Sequence, residues 1–121
     1  MADEEKKGID PKKLLNTYSF QVDFVSATGQ ELSGTFSVHR PSIGEQIRIG
    51  VVEARELGGL SNVDNITAMI ARMIATMDVV VDTHPEWWKP RDLKDMEVVQ
   101  GVYEKYIDYL QQFSGRTRSK F

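Results

Sequence analysis

Tyr18-Ser19-Phe20-Gln21-Val22-Asp23-Phe24 sets a large apolar side chain at every second position, with Ser19, Gln21 and Asp23 between them. A period of two belongs to a strand with one buried face. Ala27-Thr28-Gly29-Gln30 then reads as a turn in which Gly29 is free to take positive φ. Leu32, Phe36 and Val38 resume the alternation, with small Gly34 at the remaining inward position. The two runs together spell a β-hairpin whose Phe20, Val22, Phe24, Phe36 and Val38 face the interior. Two strands alone are marginal in water, so this hairpin needs helices laid upon it or a second chain beside it.

The rest of the chain supplies helices, which makes the fold class α+β, an N-terminal hairpin followed by three helices packed as a small bundle. Arg40-Pro41 ends the second strand, and Ser42-Ile43-Gly44-Glu45 has the spacing of a capping box. The first helix is expected from about Ile43 to Leu57, with Ile43, Ile47, Val51, Ala54 and Leu57 as its inward stripe and Gly58-Gly59 as its stop. A second helix, capped by Asp64 or Asn62, carries Ile66, Met69, Ile70, Met73, Met77 and Val80 on one face. Ala68, Ala71 and Ala75 leave room for a neighbouring helix, so this one is expected to be central. After a proline-bounded loop, His84 to Pro90, a third helix capped by Asp92 should run from about Leu93 to Phe113.

Length and composition fit this plan. The chain has 121 residues, 40% hydrophobic and 27% charged, which suits one globular domain. The expected organisation is a disordered arm over residues 1–13, a single domain over 14–115 and a basic flexible tail over 116–121. The arm balances four acids against four bases, and the tail carries Arg116, Arg118 and Lys120. The formal charge is -3, so the domain between them is acidic, a poor surface for a phosphate backbone. There is no cysteine, hence no disulfide or thiolate metal site. The start has no apolar signal region, and the longest aliphatic run, Val79-Val80-Val81, falls far short of the roughly 20 residues a membrane helix needs. A soluble cytosolic protein without membrane or nucleic-acid partners is the expectation.

The residues that would carry chemistry are sparse. His39 falls at an outward strand position, which suits a surface histidine better than a catalytic base. Asp78, Asp82, His84 and Glu86 are close in sequence, but a single histidine among loop carboxylates is a weak metal set. No nucleophile elbow and no glycine-rich phosphate loop occur. Asp92 and Asp95 sit at a helix start, where acids offset the macrodipole. The expectation is therefore no catalytic residue, no metal and no cofactor.

Protein contact is better represented. Trp87-Trp88 is an unusual pair for a loop: either one ring caps the core and the other lies on the surface, or one or both meet a partner. In the third helix Met96, Val99, Tyr103, Tyr106, Leu110 and Phe113 recur at three- and four-residue steps, the spacing of a helix–helix seam. That seam either packs on the second helix or serves self-association or a helical partner. The candidate interaction residues are Trp87, Trp88, Met96, Val99, Tyr103, Tyr106, Leu110 and Phe113. The methionines at 69, 73 and 77 read as core, and also suit an adaptable groove.

The order of these features over residues 18–113 resembles the tail assembly chaperones of long-tailed bacteriophages. The matching parts are the hairpin, Arg40-Pro41-Ser42-Ile43-Gly44-Glu45 opening a helix, and a Met- and Ala-rich second helix. A Pro-x-Trp-Trp loop and a last helix with Val102-Tyr103-Glu104 and Leu110-Gln111-Gln112-Phe113 complete the set. The resemblance implies a non-enzymatic factor in the host cytoplasm that binds the tape-measure protein, keeps it soluble and recruits tail-tube protein. It also implies that a translational frameshift yields a longer second form, this chain being the short one. The basic tail departs from the family pattern. A structural tail or baseplate subunit of the mature virion is the alternative.

Overall fold

The computed structural model describes residues 17–60 and 62–119. The arm expected over residues 1–13 lies outside that range, as do Lys120 and Phe121 of the tail; residues 116–119 are exposed. The architecture is α+β: β1 (Tyr18–Val25), β2 (Glu31–Val38), α1 (Ile43–Glu56), α2 (Asn65–Val80), β3 (Val81–Thr83) and α3 (Met96–Gln111).

β1 and β2 form the expected antiparallel hairpin, with Phe20 opposite Phe36 and Tyr18 opposite Val38. Gly29 takes φ of 89° at the turn, and its N–H donates to the Ser26 carbonyl. Phe20, Val22, Leu32, Phe36 and Val38 are buried on one face, as the alternation demands. The sheet has a third strand that periodicity did not reveal. β3 lies antiparallel to β2, with Val38 paired to Val81 and Ser37 to Thr83. Three residues are too few to display a period.

The three helices share one core with the sheet. α2 is central, with its C-terminal part, Ala71 to Val80, buried except for Arg72 and Asp78. α1 and α3 lie to either side of it, and a cleft of about 300 Å³ remains between them, lined by Gln46 and Ile49 from α1 and Tyr106 and Leu110 from α3. Ion pairs tie α1 to α2 and its surroundings: near the start of α1 Glu45 reaches Asp82, just beyond α2, through His39, and near its end Glu53 pairs with Arg72 and Glu56 shares Arg91 with Asp78.

Two close approaches depend on glycine. A Cβ at Gly34 would lie 2.7 Å from the Pro85 ring, so the tryptophan loop rests on the sheet where the strand has no side chain. A Cβ at Gly101 would lie 2.7 Å from Phe24, which fixes how closely α3 rests on β1.

The third helix is shorter than expected. Asp92 does not cap it; its N–H closes a turn onto the Lys89 carbonyl. Asp95 occupies the cap position but spends its carboxylate on the Ala27 N–H, 2.8 Å away in the hairpin turn. The helix end is thus tied to the sheet rather than to itself.

Candidate interaction surface

α1 is built as its sequence specified, but it faces the other way. Ser42 and Glu45 form the full capping box, and Gly58 and Gly59 stop the helix with positive φ. The stripe expected to face inward is outside: Ile43 is 72% exposed, Ile47 66% and Val51 50%. Ala54 is exposed and Leu57 half-buried. The residue that enters the core is Ile49, 2% exposed, two positions from Ile47 and so about 200° round the helix.

The polar residues of α1 fix that rotation. The Glu45 side chain accepts from the Ser42 N–H with one oxygen and pairs with His39 Nε2 at 3.0 Å with the other. His39 Nδ1 lies 2.9 Å from Asp82 of β3. Burial pulls the His39 pKa down, but the hydrogen bond to Glu45 and the Asp82 carboxylate outweigh it and hold it above the ordinary 6.5. When protonated, the ring donates to both carboxylates at once. Further along, Glu53 pairs with Arg72 at 3.1 Å, and Glu56 and Asp78 share Arg91 at 2.7 Å each. These acids lie on the Ile49 side, so satisfying them turns the stripe of Ile43, Ile47 and Val51 to solvent.

The start of α2 repeats the pattern. Asp64 caps it by accepting the Thr67 N–H, and Ile66 and Met69, expected in the core, are exposed. Met69 and Met73 form one wall of a groove of about 360 Å³, whose other wall is α3 with Tyr103, Glu104, Ile107 and Asp108. Tyr103 and Ile107 also line the cleft between α1 and α3, so the two hollows adjoin. Burial pushes the Tyr106 phenol in that cleft up to about 12, so it stays neutral.

The candidate residues on the loop and α3 fall into two groups. Trp88, Val99 and Tyr106 are buried in the core cluster, and Trp87, Met96, Tyr103, Leu110 and Phe113 are partly buried against it. Both tryptophans fit because Phe36 receives them edge-on, Trp88 at 5.0 Å and Trp87 at 5.9 Å between ring centres. The Trp87 N–H donates to the Ser33 carbonyl at 2.9 Å. Phe113 packs edge-on against Tyr109 and carries the Arg40 guanidinium 4.1 Å above its ring. Trp87 and Trp88 meet edge-on at 6.2 Å, and Tyr103, Tyr106 and Leu110 line the adjoining hollows together. The seam spacing on α3 is thus largely spent inside the monomer. Ile43, Ile47, Val51, Ile66 and Met69, which sequence reasoning placed in the core, are exposed.

His84 donates through Nδ1 to the Pro85 carbonyl at 2.8 Å. Among the described residues no three His, Asp or Glu side chains are grouped to hold a metal ion. No helix among them is long and apolar enough to cross a membrane. Compared with family models, curated proteins and solved structures, the chain matches none.

Proposed function

We propose that the protein is a non-enzymatic binding factor, a tail assembly chaperone that holds the tape-measure protein of a long-tailed phage soluble in the host cytoplasm and recruits tail-tube subunits. The observation that carries the binding reading is the stripe of Ile43, Ile47 and Val51, aimed away from the domain on a well-capped helix. A row of exposed branched aliphatics at four-residue steps is what an amphipathic helical partner covers. The tail assignment rests on the resemblance over residues 18–113.

Co-expression with the tape-measure protein tests it. The expected result is tape-measure protein recovered in the soluble fraction and co-purifying with this chain, with both effects lost in Ile47→Asp. Unchanged insolubility with the unaltered chain would sink the reading. Mass spectrometry of purified virions should find the chain absent. A stoichiometric presence there would replace the chaperone with a structural tail subunit.

A further inference from the structure

The α1 stripe and the Met69–Ile107 groove are two apolar surfaces of one chain, and their charged edges differ in sign. Arg48 and Arg55 lie two helical turns apart on the same flank of the stripe. Both are exposed, and neither has an ion-pair partner among the described residues. The other flank is neutral, formed by Gln46 and Gly50, and Gly50 has open space where a side chain would stand. The groove is likewise one-sided. Its α3 edge carries Glu104 and Asp108, exposed and without a cation partner among the described residues. Its α2 edge carries Met69.

At about 1.5 Å per helical residue, the stripe from Ile43 to Ala54 is about 16 Å long and the groove wall from Gln100 to Asp108 about 12 Å, so the groove takes most of the stripe. We propose that α1 of one copy docks in the groove between α2 and α3 of a second copy, with Arg48 and Arg55 set against Glu104 and Asp108. The contact joins two different patches, so it is head-to-tail and propagates into a ring or an open chain. The alternative of two α1 stripes packed antiparallel sets arginine flank against arginine flank, a repulsive arrangement. This inference stands on the chain's own surfaces and does not rest on the tape-measure reading.

Sedimentation velocity of the purified full chain over a wide concentration range tests it, with circular dichroism melts as the check on folding. The unaltered chain should grow in mass with concentration, and less so as salt is raised. Ile47→Asp should hold it monomeric while leaving the melt unchanged, since that side chain touches solvent. Arg48→Glu with Arg55→Glu, and Glu104→Lys with Asp108→Lys, should each abolish association alone. An equimolar mixture of those two variants should restore it, because every stripe then finds a groove edge of opposite sign. A monomer at all concentrations overturns the proposal. So does association that survives either charge reversal, or a mixture of the two variants that stays monomeric.

Discussion

α1 and α3 are both amphipathic helices with apolar residues at three- and four-residue steps, and they use them oppositely. On α3 the repeating residues go inward: Val98, Val99, Val102, Tyr106 and Tyr109 are buried, and Tyr103 and Leu110 half so. On α1 the repeating residues go outward, and Ile49, with Val52 half-buried beside it, holds the helix to the core. The difference teaches that an apolar period identifies a face that wants cover but not what covers it. On α1 the ion pairs gather on one side: Glu45, Glu53 and Glu56 find His39, Arg72 and Arg91 on the Ile49 side, where Ile49 and Val52 also meet the core.

The inward side of that contrast is broken most deeply at Phe36, a fully buried sheet ring in the same core cluster as α3. Phe36→Ala should cost about 3–5 kcal/mol by chemical denaturation, since the cavity lies under both tryptophans. Within α1 the same logic isolates one residue. Ile49→Ala should cost about 2–5 kcal/mol, as expected for a buried aliphatic. Gly101→Ala drives a methyl into Phe24 and should cost about 1–3 kcal/mol by overpacking, with the melt lowered accordingly.

Acid and base should act on α1 through His39. Its folded pKa is raised, so its stabilising contribution is fully present below the ordinary 6.5 and is lost as pH rises through the folded value. Glu45 is held below the usual carboxylate value by the Ser42 backbone N–H and by His39, so its contribution is present above 4.5 and lost as pH falls. The melting difference between the unaltered chain and His39→Gln should therefore be widest between about 4.5 and 6.5 and shrink above that window. A difference that grows toward alkaline pH would show that the ring works neutral. The smallest effect belongs to the outward stripe. Ile47→Ala should stay within about 0.5 kcal/mol of the unaltered protein, since it uncovers nothing buried. A loss like that of Ile49→Ala would mean that α1 is turned the other way.

The hairpin, the capping box, the double-glycine stop and the central α2 were all legible, because each is encoded over a few neighbouring residues. The rotation of α1 was not, because it depends on His39, Arg72 and Arg91, which are distant in sequence from the acids they meet. β3 was hidden by its length. Its clearest trace was Thr83, which meets Ser37 through their hydroxyls at 2.8 Å. The interaction residues read from α3 were those that a monomer also needs, and adjacent tryptophans proved compatible with one core once Gly34 let Pro85 sink against the sheet. Of the eight candidates, Tyr103 and Leu110 remain as half-buried residues lining the hollows.

Gly101 and Phe24 bear on how this chain can vary over descent. The missing side chain on α3 and the ring on β1 occupy one shared volume, so they are inherited as a unit. Any relative with a larger residue where Gly101 stands should carry something smaller than phenylalanine where Phe24 stands, and the two changes should appear together. Gly34 and Pro85 form a second such unit, in which the proline restricts what the strand can carry. The stripe on α1 meets no residue of its own copy in this way, and under the proposed docking Arg48 and Arg55 should vary together with Glu104 and Asp108.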